Sequence, residues 1–248
     1  VLVGFGYKLV PNVDMATVLG FNNSRFMETA YTQPVLDAKL KIKPFKLQNL
    51  ELGYQREVQN FNADLIEREI VMNHYGLNYN LGTNINLGWY TQLMHTQQND
   101  NNSRNLLFTS LYYTVLQKPA LKFGLNYQFI TFGEQVPSIY FSPETYQAGE
   151  VFGDIRGTIS THTNYMASVA TGIQKVENDP QTAIFRTEAA VQRQFGKRLS
   201  GSIYGKYSNI ASATAAGFEF TEIGFKLKWS LTKKPLFFAQ LEGESNSK

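Results

Sequence analysis

The residues that come closest to a catalytic arrangement are a histidine and a serine separated by part of one loop. The chain has three histidines, His74, His95 and His162, and no cysteine. His95 near the end of a predicted strand and Ser103 in the following loop have the side chains needed for nucleophilic hydrolysis of a lipid. No G-x-S-x-G turn, suitably spaced carboxylate or H-x-x-x-H pair accompanies them. We therefore predict no enzymatic activity, no metal site and no cofactor, and we keep a lipid-modifying hydrolase as an alternative.

A second set of chemically distinctive side chains occupies every other position of long runs. Near the C-terminus, the polar residues Glu222, Lys226 and Lys228 alternate with apolar residues such as Phe225 and Leu227. A period of two places the two sets on opposite faces of a β-strand. Similar alternation is found in residues 36–42, 84–90 and 121–129. Each such strand needs an apolar neighbour on one face and water on the other.

The length of these runs indicates what the apolar neighbour is. Strands of soluble sheets have about five or six residues, whereas tilted strands that cross a bilayer need about 9–11. No stretch approaches the ~20 uninterrupted apolar residues of a membrane helix. Aromatic residues make up 14% of the chain, which suits aromatic girdles at the membrane surface. The sequence therefore predicts an all-β fold, a transmembrane antiparallel up-and-down β-barrel.

The alternation also predicts where the strands lie and how many there are. The predicted strands are 35–42, 46–56, 66–80, 84–95, 105–115, 120–131, 145–160, 165–176, 182–195, 199–209 and 217–231, with about three more in residues 1–33. Ser24–Thr32 alternates poorly, and Leu65–His74 fits a short helix as well as the strand that we favour. Closure with both termini in the periplasm requires an even number of strands, about 14 to 16. Residues 1–235 are the predicted barrel, and 236–248 are a polar C-terminal tail.

Connection lengths give the predicted barrel an orientation. The predicted tight turns are Pro44-Phe45, Gly82-Thr83, Gln117–Ala120, Thr161–Asn164 and Gly196–Arg198, and the longer loops are 96–104, 132–144, 177–181 and 210–216. Bacterial barrels place short turns in the periplasm and long loops outside the cell. We therefore predict that the protein lies in the bacterial outer membrane with its C-terminus in the periplasm. The absence of cysteine suits passage through an oxidising periplasm.

The two predicted mouths differ in charge. The outer loops carry Glu57, Asp64, Asp100, Glu134, Glu144, Glu177 and Asp179, and the periplasmic turns carry Lys41, Lys43, Lys46, Lys118, Lys197, Arg198, Lys233 and Lys234. Such a field could draw an anionic or polar polymer into the periplasmic opening. Alternatively, the lysines contact lipid phosphates, which is the interpretation that we favour. The net charge of +3 and the absence of a basic cluster with interleaved aromatics indicate no nucleic-acid partner.

One long loop ends in a segment of distinctive composition: Tyr140, Phe141, Ser142, Pro143, Glu144 and Tyr146. Pro143 fixes its own φ and biases Ser142 towards an extended conformation, so this segment is a preset corner that enters a strand. Its aromatic rings suit a girdle or loop packing, which we favour, or stacking on sugars at an exit.

This corner resembles a motif in the C-terminal barrel of the cellulose synthase operon protein C family, whose relatives export poly-N-acetylglucosamine. Further similar segments follow in the same order: 52–56, 99–104, 123–127 and 224–229. The resemblance implies a barrel of about 16 strands and export of a biofilm polysaccharide. It also implies a periplasmic array of tetratricopeptide helices in the same chain. The sequence contains no such helical repeat, so we expect the array to be absent or to have been removed.

The predicted function is an outer-membrane porin that conducts an exopolysaccharide of the cellulose or poly-N-acetylglucosamine type. Many weak contacts suit a moving chain better than one strong site. The predicted pore-lining residues are Lys122, Asn126, Gln128, Arg186, Glu188, Gln192, Gln194, Glu222, Lys226 and Lys228. The predicted partners are outer-membrane lipid, the polysaccharide in transit, and a periplasmic tetratricopeptide segment or other envelope subunits. The main alternative is an accessory barrel with a plugged lumen.

Overall fold

Thirteen antiparallel strands form one sheet in which each strand pairs with its neighbours in sequence. A computed structural model describes residues 2–60, 63–82, 86–137, 139–196, 198–211 and 219–229. The strands are β1 Leu2–Val10, β2 Val13–Phe26, β3 Thr29–Ile42, β4 Gln48–Val58, β5 Val71–Gly82, β6 Leu87–Gln98, β7 Ser103–Gln117, β8 Ala120–Phe132, β9 Thr145–Ser160, β10 Thr163–Val176, β11 Thr182–Gln194, β12 Leu199–Ser208 and β13 Phe220–Trp229. This order is the predicted up-and-down topology.

The strands have the lengths expected of tilted strands that cross a bilayer. They run from 9 residues in β1 to 16 in β9, enough for tilted strands to cross a bilayer. Within residues 1–33 the structure has two complete strands and the start of β3, rather than about three. The poor alternation of Ser24–Thr32 has a local cause. Met27 has a positive φ of 50° in the β2–β3 turn, so the period of two is interrupted there.

The strand predicted for residues 66–80 is wrong over its first five residues. Ala63–Glu67 form a short helix, α1, and β5 begins only at Val71. The helix buries Leu65 completely, and Ile70 after it is also buried. The apolar residues at its helical spacing therefore serve a local core rather than one face of a strand. No helix among the described residues is long and apolar enough to cross a membrane.

The sheet has two chemically opposite faces, since residues directly opposite each other on antiparallel strands point to the same side. One face, here called the outer face, exposes large apolar side chains. They include Leu19, Leu52, Tyr75, Trp89, Leu111, Phe123, Leu125, Val151, Val169, Phe185, Ile203 and Phe225. An apolar surface this extensive marks contact with lipid or another apolar partner.

The other face, here called the inner face, carries the charges. All six ion pairs of the described residues lie on it: Asp37–Lys39, Lys41–Glu51, Glu57–His74, Asp154–Arg156, Glu150–Arg186 and Lys206–Glu222. Paired charges behind an apolar belt are the arrangement expected of a barrel with a polar interior.

The two edges of the sheet differ in the size of their connections. The turn edge has the connections 11–12, 43–47, 83–86, 118–119, 161–162 and 195–198, and the loop edge has 27–28, 59–70, 99–102, 133–144, 177–181 and 209–219. The loop-edge connections 59–70, 133–144 and 209–219 are longer than every turn-edge connection, whereas 27–28, 99–102 and 177–181 are as short as the turns. The predicted separation of tight turns from longer loops is therefore confirmed for those three loops only.

The described residues form 13 strands, and the first and last strands have their outer ends at opposite edges of the sheet. β1 begins at the loop edge and β13 ends at the turn edge, because the number of described strands is odd. An all-antiparallel closure needs an even number, so the total of 14 to 16 and the periplasmic termini stay predictions. Predicted features that lie outside the described residues are Thr83, Lys197, Lys233, Lys234, most of loop 210–216 and the tail 236–248.

Candidate functional site

The register places all ten predicted lining residues on the inner face. Lys122 on β8 lies opposite Asp154, and the same row continues through Ser168, Glu188, Lys206 and Glu222 on the next four strands. The other predicted residues lie at even spacings from this row on the same three strands. They are Asn126, Gln128, Arg186, Gln192, Gln194, Lys226 and Lys228. The alternation therefore identified one continuous polar surface.

The middle of this surface is charged but compensated. Glu150 accepts hydrogen bonds from Asn126 Nδ2 at 3.1 Å and from Arg186 at 3.0 Å. Glu222 accepts from Tyr204 at 2.8 Å and pairs with Lys206 at 2.6 Å. Because each carboxylate has a cation beside it, this part of the inner face offers many hydrogen-bonding groups and little net field.

Sequence reasoning missed several inner-face residues on β9 and β12. Glu150, Asp154 and Arg156 alternate along β9, and Tyr204 and Lys206 do so along β12. On the opposite face of β9, glycines at positions 149, 153 and 157 alternate with Val151, Ile155 and Ile159, and the apolar Phe152 lies on the same face as Glu150, so the contrast between the two faces is weak. Counting every second residue along β9 from Glu150 would have identified Asp154 and Arg156 as members of the same face.

The loop edge of the inner face is closed by an apolar assembly, here called the cap. The cap consists of α1, Ile70, loop 133–144 and residues 209–211. Leu65 and Ile70 pack against Ile139 and Tyr140, with Phe132 and Val136 at the margin. On the other side, Phe141 and Ile210 cover the inner-face residues Ile130, Tyr146, Ala148 and Ile184. The cap therefore spans from α1 to β11 across the mouth of the sheet.

Hydrogen bonds fix the cap to the neighbouring turns. Asn102, with 1% of its surface exposed, donates from Nδ2 to the Glu134 carbonyl at 2.9 Å and to Tyr140 Oη at 2.8 Å. Its Oδ1 accepts from the Glu134 backbone N–H at 2.9 Å. Tyr140 in turn donates to Asp100 at 2.9 Å. Burial raises the pKa of the Tyr140 phenol above its ordinary value, and its bond to Asp100 adds to this effect.

A second anchor holds the two ends of loop 133–144 from the β10–β11 side. Glu177 accepts from the side-chain amide of Gln135 at 2.9 Å and from the backbone N–H of Glu144 at 2.8 Å. Within the loop, Ser142 Oγ accepts from the Val136 N–H at 2.7 Å. The loop therefore has a defined fold that rests on three neighbouring connections.

The aromatic corner at Tyr140–Tyr146 is part of this packing. Tyr146 is completely buried and donates to Gln174 at 3.0 Å. Phe141 meets its ring edge-to-face, with centroids 5.9 Å apart, and Ser142 and Pro143 are buried. The geometry favours loop packing over an exposed platform for sugars in this conformation.

A buried polar group lies directly beneath the cap. His74 is 2.8 Å from Thr96 Oγ1 through Nδ1 and 3.2 Å from Glu57 Oε1 through Nε2. Arg104 lies opposite Thr96 on β7, and neither its Nε nor Gln98 Oε1 has a hydrogen-bond partner among the described residues. Thr96 is completely buried, so this group fixes the wall rather than presenting a nucleophile.

The predicted hydrolase pair does not assemble. His95 points to the outer face, where Nδ1 lies 2.8 Å from Asn105 Oδ1 and the ring stacks on Tyr75 with centroids 6.3 Å apart. No hydrogen bond joins His95 to Ser103 within the described ranges. His95 is therefore not positioned as a base for the Ser103 hydroxyl in the described part of the chain.

The turn edge of the inner face has a cleft of about 270 Å³ between β10 and β13, here called the turn-edge cleft. It contains three of the predicted lining residues. Its lining consists of Thr161, His162, Asn164, Gln192, Gln194, Arg198, Leu199, Ser200 and Lys228. His162, Asn164 and Ser200 were missed because they lie in or next to tight turns.

No protein-family model and no curated protein sequence matches the chain. Among solved structures, it is similar to a "Bacterial polysaccharide outer membrane secretin", with a TM-score of 0.74 and 10% identity over 93% of this chain and 79% of that chain. A second match is the translocator domain of autotransporter NalP from Neisseria meningitidis, with a TM-score of 0.38, 11% identity and coverage of 93% and 78%. The second score is too low to carry weight. The first shows that the chain has the up-and-down β-barrel fold of an outer-membrane protein, in agreement with the predicted outer-membrane location.

Proposed function

We propose that this barrel is an outer-membrane conduit that passes a secreted exopolysaccharide from the periplasm to the cell surface. The observation that carries the proposal is the continuous polar inner face behind an apolar outer face. The cellulose or poly-N-acetylglucosamine type of polymer rests on the sequence resemblance. The similar solved structure is that of a polysaccharide outer-membrane secretin, which agrees with a polysaccharide cargo.

The inner face suits a polymer that moves rather than stays. Amide, hydroxyl and paired ionic groups such as Asn126, Tyr204 and Glu150 can exchange hydrogen bonds with sugar hydroxyls one after another. Since the central charges are compensated, no single position holds the chain strongly. Outer-membrane lipid contacts the outer face, and periplasmic helices or other envelope subunits are further partners in this proposal.

In this proposal, the cap closes the conduit at its loop mouth in the conformation described. Leu65 and Tyr140 are buried in one of its apolar clusters, and Ile210 is buried in the other. Passage of a polymer therefore requires the cap to move away from the inner face.

The cap also supports a second candidate function, an accessory barrel that serves as a closed subunit of a larger envelope assembly. In that case the cap is a permanent plug, because its apolar core of Leu65, Ile70, Ile139 and Tyr140 stabilises the closed form. The two candidates differ in whether the lumen transmits anything once the cap is removed.

Oligosaccharide flux separates the two functions. Proteoliposomes would contain either the full chain or a variant in which residues 134–143 are replaced by a short Gly-Ser linker. The conduit predicts release of an entrapped fluorescent hexasaccharide through the variant, with slow release through the native barrel. Retention by a correctly folded variant, judged by its resistance to SDS unfolding, would overturn the conduit and support the accessory barrel.

A further inference from the structure

The turn-edge cleft is a part of the inner face that carries positive charge and no carboxylate among its described lining residues. Among its described lining residues none is Asp or Glu, whereas Arg198 and Lys228 both contribute positive charge. Neither cation forms an ion pair within the described part of the chain. On the central inner face, by contrast, Glu150 and Glu222 each have a cation within 4 Å, Arg186 and Lys206 respectively.

The cleft opens to the interior and not to lipid. Lys228 lies opposite Ser200 and shares a face with Gln192 and Gln194, whereas Leu227 and Trp229 point to the outer face. Lys226, two residues before Lys228 on β13, points to the same inner face. The side chains of these two lysines therefore lie on the inner face, as expected of the pore-lining residues predicted from the sequence.

The remaining lining groups suit a sugar. Asn164, Gln192 and Gln194 each carry an amide that can both donate and accept, and Ser200 adds a hydroxyl. The planar Arg198 guanidinium matches a carboxylate or other oxyanion with two parallel hydrogen bonds, and Lys228 adds a point charge. A volume of about 270 Å³ lies near the lower end of ligand pockets, about 300–1,000 Å³, so it takes a short segment of a chain.

We propose that the turn-edge cleft is an entry subsite for an acidic glycan, with the anionic group held by Arg198 and Lys228 and the sugar hydroxyls held by the neighbouring amides. This inference rests on the proposed conduit, and it replaces the cellulose or poly-N-acetylglucosamine type of cargo, which rests on the sequence resemblance, with a polymer that carries acidic groups. The basic cleft at the turn edge draws such a chain in. The acidic residues of the loop edge, such as Asp100 and Glu177, oppose rebinding after it leaves.

The test measures binding of the full chain in detergent micelles by microscale thermophoresis. The probes are hexagalacturonate, which carries a carboxylate on every sugar, and neutral cellohexaose. The expected result is binding of hexagalacturonate about tenfold more tightly than cellohexaose, weakening as salt is raised. Equal affinity for the two probes would overturn the proposal.

Matched variants locate the effect. Arg198→Gln with Lys228→Gln is expected to weaken hexagalacturonate binding about tenfold or more, because charge-assisted hydrogen bonds are lost. Lys43→Gln with Lys46→Gln removes the same charge from another part of the turn edge and is expected to leave binding unchanged. Equal losses in both double variants would contradict a defined subsite.

Competitors distinguish the source of the anion. Short-chain phosphatidylglycerol and inorganic phosphate are expected to displace hexagalacturonate poorly, since neither fills the amide-lined part of the cleft. Displacement by either at an equal concentration would overturn the glycan assignment.

Binding of hexagalacturonate does not require transport, so the two proposals can fail separately. A barrel that binds hexagalacturonate but never conducts contradicts the conduit alone. A barrel that conducts without binding hexagalacturonate contradicts the proposed subsite alone.

Discussion

The side-chain amide of Asn102 donates a 2.8 Å hydrogen bond to the phenol oxygen of Tyr140, 38 residues further along the chain. This bond joins the β6–β7 connection to loop 133–144, and Asp100 of the same connection accepts a hydrogen bond from the phenol. Asn102 also holds both backbone groups of Glu134. The pair therefore connects the wall of the barrel to the element that closes its loop mouth.

Loss of the Asn102 amide should loosen the cap. Asn102→Ala removes one hydrogen bond to Tyr140, which keeps its bond to Asp100, and two hydrogen bonds to the Glu134 backbone, at a cost of about 0.5–1.5 kcal/mol each. We expect faster hydrogen exchange in residues 133–144 and more frequent channel openings. Asn12→Ala in the exposed β1–β2 turn is the control and should change neither. Unchanged exchange in Asn102→Ala would show that Asn102 does not hold the loop.

Alkaline pH should open the cap through Tyr140. Its pKa is raised in the closed state above the ordinary value of about 10, so the cap keeps its full stability below about pH 10. Above that pH, Tyr140 ionises more readily in the open state than in the closed one, and the closed state loses stability.

The measurement is proteolysis of loop 133–144 in liposomes between pH 8 and pH 11. Native barrel should be cut faster at the higher pH. Tyr140→Phe lacks the ionisable group, so its cutting rate should be higher at pH 8 but should show less pH dependence. If the native barrel and Tyr140→Phe show the same pH dependence of proteolysis, ionisable groups other than Tyr140 cause it.

The Glu150–Arg186 pair should govern the charge selectivity of the lumen. Arg186→Gln leaves Glu150, whose side chain is 8% exposed, without its cation. We expect a loss of about 1–3 kcal/mol in unfolding free energy and a shift towards cation selectivity in the reversal potential. Adding Glu150→Gln should reverse both effects. An unchanged reversal potential would contradict the prediction that this pair governs the charge selectivity of the lumen.

Two adjacent residues of β10 test the assignment of the faces. Val169 is exposed on the outer face, and Ser168 lies on the inner face between Asp154 and Glu188. Val169→Arg should destabilise the barrel by about 2–4 kcal/mol, because it places a charge in lipid near mid-strand. Ser168→Arg gains two carboxylate neighbours and should be tolerated. Urea unfolding in lipid vesicles measures both, and equal costs would contradict the assignment.

The parts of the fold that depend on local pattern could be predicted from the sequence. The alternation of Glu222, Lys226 and Lys228 with Phe225 and Leu227 defines β13 and its inner face without any distant contact. On β9, glycines interrupt the apolar face and Phe152 interrupts the polar one, and the same reasoning missed Glu150 and Asp154. Pattern reasoning works when each face has its own chemistry and fails when the two faces share residue types.

The cap could not be predicted because its contacts join distant parts of the chain. Leu65 of α1 packs with Ile139 and Tyr140, and nothing within residues 63–70 indicates that partner. The same apolar residues fit a strand or a helix equally well in isolation, and the tertiary core decides for the helix. The turn-edge cleft likewise requires four strands to converge before its charge becomes visible.

Single-channel recording in planar bilayers tests the conduit most directly. The barrel with residues 134–143 replaced by a short linker should show stable open channels, and the native barrel should be mostly closed with brief openings. A folded variant that never conducts would contradict the conduit and leave the accessory barrel as the better account.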